Sequence, residues 1–420
     1  MNTTISDYVM TRTAVDAHEH LMPEASRLAL QPDVVWLFHQ YAHSDLVSAG
    51  MPARDAQAVL GDHINNPGEM PLEKRWSLFK PFLDHIRHTG YARAVFLAIH
   101  DLYGADTLDD TTYAAITERI RAENTPGITD RCLRIKGHIA AILNCNYQAE
   151  QPVPYSHPLM SFPAMPRHKT AERLRDLEIL AGEPITGLDG LIESVWKELD
   201  RYRATGVIGL KTVAGVRSAP TPAQARAAFA HYLSGDRTAM TEDDYAAVND
   251  FLFDQVLQRI PEYRFTIAVH CGYLAGWNED FTRTHARHMI PSLRRHPEVR
   301  FDLFHLNYPW MDEAIAIGKQ FTNVSLNLAW CHILNPCAAE RAMIELIHAV
   351  PINKVLAMGG DYWRLPDVAY GHLKLARMLF ARALCACIDE RWITEPEARS
   401  IADCWLHDNA YEHYPLLPRS

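Results

Sequence analysis

Phe265-Thr-Ile-Ala-Val-His-Cys271 is a short β-rich run that closes on a histidine. It is one of a series. Arg300-Phe-Asp-Leu-Phe-His-Leu306 has the same form, as do Asn323-Val-Ser-Leu-Asn-Leu-Ala329 and Lys354-Val-Leu-Ala-Met-Gly-Gly-Asp361, which ends on an aspartate. Upstream, Val207-Ile-Gly-Leu-Lys-Thr-Val213 begins the rhythm. Helical patterns such as MDEAIAIGKQF (311–321) and AAERAMIELIHAV (338–350) fill the gaps. Continuous apolar strands alternating with helices imply a parallel sheet covered by helices. The architecture is then a barrel or a doubly wound sheet.

The first half reads differently. Ala14-Val-Asp-Ala-His-Glu-His-Leu-Met-Pro23 opens with a strand. Roughly a hundred helical residues follow, including DVVWLFHQYAHSDLVSAG (33–50), RDAQAVLGDH (54–63), EKRWSLFKPFLDHIRHTGYARAVFLAIHDLYG (73–104) and DTTYAAITERIRAEN (110–124). ARAVFLAIHDLY is read as helix because no turn signal separates it from the preceding pattern. Strands resume near 135–143 and 159–164. The eight strands, around residues 14, 138, 161, 208, 267, 302, 325 and 356, are the number that closes a (β/α)₈ TIM barrel. The reading is an α/β fold, a single barrel domain over 1–420, with 24–128 as a long helical insertion after strand 1. Helical blocks AQARAAFAHYLSGD (223–236) and EPEARSIADCWLHDNAYEHY (395–414) interrupt the rhythm. The Pro-rich QPVPYSHPLMSFPAMP (151–166) is expected to be loop at the barrel mouth.

Composition narrows the function. The chain has 420 residues, a net charge of −10 and 48% hydrophobic residues. No basic stripe suggests nucleic acid. No apolar run approaches the ~20 residues that span a bilayer, and the N-terminus lacks the form of a signal peptide. Eight cysteines without CxxC pairs fit reduced, buried thiols in a cytosol. The expected location is cytoplasmic and the partner a small-molecule substrate. The apolar segments WLFHQY and FKPFL allow a homo-oligomer as readily as packing on the barrel.

Strand C-termini gather at the ligand-binding face of a barrel. On a strand, i and i+2 share a face, so His18 and His20 project together, with Glu19 turned into the wall. His270, His305 and Asp361 end three further strands. Each such group, buried alone, would cost ~1–3 kcal/mol or more. A shared metal ion would satisfy all of them.

HxH on strand one, His on five and six, and Asp on eight is similar to the amidohydrolase superfamily. GVIGLKTVAGVRS (206–218), FHLNYPWMDEAIAIGKQFTNVSLNL (304–328) and WLHDNAYEHY (405–414) resemble its amidohydrolase-related branch, "amidohydrolase 2". The helical insertion resembles that of uronate isomerases. The resemblance implies a divalent metal, Zn²⁺ or else Mn²⁺, one ion rather than two, on His18, His20, His270 and Asp361. It implies Asp361 as ligand, general base or both, and His305 as ligand or as orienter of substrate and of developing negative charge. Lys211 is either a carbamylated bridge between two metals or a cationic clamp on substrate. Arg217, Tyr273, Trp310, Trp330 and Arg364 follow strand ends and are candidate substrate contacts, with His332 beside them. His100, Asp101 and His138 read as structural, and His85 and His88 as solvated or capping.

The implied activity is metal-dependent hydrolysis of an amide, lactone or related C–N or C–O bond in a small polar, carboxylated molecule. A uronate-type isomerase is the first alternative, carried by GGDYWRLPDVAYGHLKLARMLFARALC (359–385); NLAWCHILNP (327–336), with one Trp, departs from that pattern. A non-oxidative decarboxylase and a non-catalytic metal-binding barrel are the others.

Overall fold

The computed structural model describes residues 3–61, 70–145, 151–165, 170–234 and 241–416. Eight parallel strands run in order around a barrel: β1 (Ala14–Glu19), β2 (Ile139–Asn144), β3 (Ser156–Ser161), β4 (Gly209–Val213), β5 (Thr266–His270), β6 (Arg300–Phe304), β7 (Val324–Asn327) and β8 (Val355–Leu356). Backbone bonds complete the ring between β1 and the segment beyond β8. Ala17 N–H donates to Met358 O at 2.9 Å, Asp361 N–H to His18 O at 2.9 Å and His20 N–H to Tyr362 O at 3.0 Å. The fold is a (β/α)₈ barrel.

Strand registers carry the site. Val213 pairs with His270, and His270 with Phe304, so β4, β5 and β6 end at one level. Tyr414, from the C-terminal helical stretch, plugs the opposite end. Its hydroxyl donates to Asp302 at 2.7 Å, and it packs with Val15, Leu143, Leu159 and Leu356.

Between β1 and β2 the described residues form helices at Glu24–Leu28, Ala42–Ser48, Ala53–Leu60, Leu72–Ile86, Gly90–Tyr103 and Tyr113–Glu123, among others. Gly90–Tyr103 contains the ARAVFLAIHDLY stretch, helical as expected. It crosses Pro366–Asp389 where a Cβ at Gly371 would strike the Ala94 carbonyl, so only glycine allows the approach.

Three expectations are corrected in detail. β3 covers 156–161 rather than 159–164, inside the Pro-rich stretch. Pro158 lacks an N–H, yet its carbonyl accepts from Ile208 N–H at 3.1 Å, which lets it join a short strand. β2 begins at Ile139 rather than 135, because Asp130–Lys136 remain helical and His138 turns through φ 55°. β8 is two residues long rather than eight. The ends of RDAQAVLGDH, AQARAAFAHYLSGD and the Pro-rich stretch lie outside the described residues.

All eight cysteines are free. Among the described residues, no helix is long and apolar enough to cross a membrane.

Candidate metal and substrate site

β1 splits its polar side chains between two jobs. His18 and His20 face the barrel mouth with ring centroids 4.9 Å apart. Asp16 and Glu19 hold the segment after β8. Asp16 Oδ1 accepts from Gly360 N–H at 3.2 Å, and Glu19 Oε2 from Tyr362 N–H at 2.6 Å. Burial raises both acids, Asp16 to about 6 and Glu19 well above its usual range; Asp16 raises Glu19 further, while the hydrogen bond from Glu19 lowers Asp16. A Cβ at Gly360 would collide with the Glu19 carboxylate, so glycine is required there.

That packing presents Asp361. Its backbone sits in the left-handed region at φ 66°, which costs a non-glycine residue about 1–3 kcal/mol. Its carbonyl accepts from Gln40 Nε2 at 2.6 Å and from the Tyr41 hydroxyl. Its carboxylate Oδ1 lies 3.2 Å from His18 Nε2 and 3.3 Å from His20 Nε2.

β6 ends in a left-handed turn, with His305, Leu306 and Asn307 at φ 62°, 43° and 56°. Asn307 secures it, accepting from Ala286 N–H at 2.8 Å and donating to Trp310 O at 3.0 Å. The turn brings His305 Nε2 within 2.9 Å of His270 Nδ1.

The tautomers follow from partners that can only accept. His20 Nδ1 faces the Cys145 carbonyl at 2.9 Å, His305 Nδ1 the Ala329 carbonyl at 2.9 Å, and His270 Nε2 the Tyr273 carbonyl at 2.8 Å. Each of those nitrogens therefore carries the hydrogen, and each opposite nitrogen turns a lone pair into the site. Burial keeps the rings neutral: His20 is pushed down to about 3, His270 to about 4, and His18 and His305 well below the usual range. The lone pair of His20 thus confronts a carboxylate oxygen at 3.3 Å, and those of His270 and His305 confront each other at 2.9 Å.

Lone pairs at such distances need a cation among them. Donors ~2.0–2.1 Å from one tetrahedral ion stand about 3.3 Å apart, which matches the spacings of His18 and His20 from Asp361. His18, His305 and Asp361 also offer ligand atoms all within 4.8 Å of one another. The donor set therefore fits a divalent metal.

Lys211 is buried beside it. Its Nζ lies 3.1 Å from His18 Nε2 and 4.1 Å above the Phe304 ring, and burial lowers its pKa. The cavity above these groups, about 390 Å³, is lined by His18, His20, Gln40, Tyr41, Ser161, Lys211, Thr212, Val213, His270, Ala275, Trp330, Asp361 and Trp363.

The five strand-end residues and Lys211 are thus brought together, and Trp330 forms a wall. The other candidate contacts are placed elsewhere. Arg217 turns to Asp250 at 3.4 Å and lies over the Phe253 ring at 3.7 Å, so its guanidinium secures a loop. Tyr273 offers its carbonyl to His270 while its ring packs on Phe281 and Trp330. Trp310 stacks on His285 at 4.0 Å. Arg364 is outside the cavity lining, whereas its neighbour Trp363 stacks on His20 at 4.9 Å with ring planes 7° apart. His332 is buried and faces His372 Nε2 at 3.3 Å. Asp101 ties two helices through Tyr370 and Lys374, and His85 and His88 are exposed.

Gln40, Tyr41 and Trp363 were not legible as site residues. WLFHQY carries an ordinary apolar helix-face pattern, and Trp363 is masked by the arginine after it.

A family model described as Amidohydrolase matches residues 152–416. The chain belongs to the amidohydrolase family. No curated protein matches it in sequence. Among solved structures, this chain is similar to uronate isomerase from Thermotoga maritima, at 15% identity and TM-score 0.79, over 98% of this chain and 96% of that one. Glucuronate isomerase from Caulobacter crescentus gives 14% identity and TM-score 0.76 over 99% and 94%. A protein of Lactobacillus casei ATCC 334, assigned without demonstration as a metal-dependent hydrolase, gives 17% and 0.61 over 97% and 96%. At these identities the likeness establishes the chain's fold and not its reaction.

Proposed function

We propose that this amidohydrolase is a metal-dependent hydrolase of a small carboxylated molecule. The observation that carries the reading is the convergence of His18 Nε2, His20 Nε2 and Asp361 Oδ1 beside a buried lysine. His18, His20, His270 and Asp361 would hold the ion. A bound divalent ion supplies carbonyl polarisation and a water pKa lowered to ~7.

The remaining work falls to the chain. Asp361 is placed to take a proton from the attacking water. His305, its Nε2 2.9 Å from His270 Nδ1, would ligate beside those four residues or orient the substrate. Lys211 is the cation among the residues lining the cavity, since Arg217 is engaged by Asp250, so a substrate carboxylate is assigned to Lys211. Trp330, Trp363 and Tyr41 wall the cavity and exclude water.

The test is elemental analysis together with turnover of N-acyl amino acids and lactones in H₂¹⁸O. About one equivalent of metal, with ¹⁸O in the product, is the expected result. A wild-type protein that takes up neither Zn²⁺ nor Mn²⁺ would overturn the reading. The second reading, a uronate-type isomerase, draws on the end-to-end overlap with two uronate isomerases. It predicts conversion of a uronate to an isomer of equal mass.

A further inference from the structure

We propose that Gln40 is a positioning residue whose single carboxamide sets both Asp361 and Trp363; the inference rests on the metal-site reading above. Nε2 donates to the Asp361 carbonyl at 2.6 Å, and Oε1 accepts from Trp363 N–H at 2.9 Å. The two backbone groups flank Tyr362, whose own N–H is taken by Glu19 on the other side. A C=O and the N–H two residues later, bonded from one side, are the groups that a neighbouring strand would engage. The side chain therefore stands in for a neighbouring strand beside a segment that lies beyond the two-residue β8.

The substitution has a physical purpose. Asp361 is held in the left-handed region, and that conformation persists only where the surroundings over-determine it. Tyr41 adds a second donor to the same carbonyl. At the other end of the carboxamide, fixing Trp363 N–H fixes the indole that lies flat on His20. Gln40 belongs to the segment between β1 and β2, so that segment is tied to a metal-facing carboxylate and to the stack on a metal-facing imidazole.

The test compares Gln40→Ala and Gln40→Glu with wild type, with Gln57→Ala, at an exposed position of the helix Ala53–Leu60, as control. Glutamate keeps an acceptor for Trp363 N–H but sets an oxygen against the Asp361 carbonyl. Two readouts serve: hydrogen exchange of the Trp363 amide in metal-free protein, and Zn²⁺ affinity by competition with a chromophoric chelator. Gln40→Ala is expected to expose the Trp363 amide and to weaken Zn²⁺ binding about 10–100-fold. Gln40→Glu is expected to keep the amide protected and still weaken Zn²⁺ binding, and Gln57→Ala to match wild type. Zn²⁺ affinity of Gln40→Ala within about two-fold of wild type, or an unchanged Trp363 amide, would overturn the proposal. If Gln40→Ala does not fold, Gln40→Glu decides: wild-type Zn²⁺ affinity in that variant overturns it. A wild-type protein that binds no metal sinks the metal-site reading, while exchange at Trp363 still decides the clamp.

Discussion

β5 and β8 each deliver a residue to the site, by opposite means. β5 pairs with both neighbours along its whole length, and His270 is its last residue. β8 pairs over two residues, and Asp361 lies five further on. There the chain is held by side chains from elsewhere: Asp16 and Glu19 from β1, Gln40 and Tyr41 from the following segment, and His372, whose Nδ1 donates to Gly360 O at 3.1 Å. A strand places a side chain by a backbone ladder indifferent to most substitutions. A loop places one by a few bonds, each of which is a point of failure.

Acid tests both regions together and should give the largest effect. His20 and His332 are pushed down to about 3, His270 to about 4, and His18, His305 and His372 lie well below the usual range, all by burial. Unfolded histidines take up protons near pH 6.5 while the native ones stay neutral. Stability is therefore present above that pH and is lost as pH falls from about 6.5 toward 4. Asp16, Glu19, Asp45 and Asp302, raised by burial, oppose this, but with His138, His157 and His285 also lowered, four acids do not balance nine imidazoles. Denaturant titrations of metal-free protein at pH 7 and pH 5 should show lower stability at pH 5. Equal or greater stability at pH 5 would contradict the neutral assignments.

Asp361→Asn separates chemistry from folding. It keeps the size and removes the charge, so turnover should fall about 10²–10⁴-fold with little change in thermal midpoint. Full turnover in this variant would remove Asp361 from the mechanism.

The sharpest contrast between the two regions comes from a matched pair. Gly360→Ala drives a methyl into the Glu19 carboxylate and should destabilise by about 1–3 kcal/mol while also weakening metal binding. Ile267→Val trims the β5 core by one methylene, at about 0.5–1.5 kcal/mol, and should leave metal affinity unchanged. Calorimetry with metal titration on both variants measures this. Equal effects on metal affinity would erase the distinction between ladder-held and loop-held residues.

The parts that were legible follow the same division. His18, His20, His270 and His305 stand at or beside the ends of apolar runs, and strand periodicity alone sends them to the barrel mouth. Arg217 looked like a substrate contact because it follows β4, but Asp250, a distant helix residue, claims it. Arg364 and Trp363 are adjacent, and nothing local says which of them reaches the cavity.

The sequence by itself determined the eight-strand rhythm, the helical stretch between the first two strands and the convergence of imidazoles with Asp361. Those features depend on periods of two and 3.6 residues and on strand ends, which are local. Only the tertiary structure decided which lone pairs face inward, that Lys211 sits against His18, and that Gln40 and Tyr41 grip Asp361. Those depend on carbonyls and side chains far away in the chain, Cys145 beside His20 and Ala329 beside His305 among them. Their positions exist only once the barrel has closed.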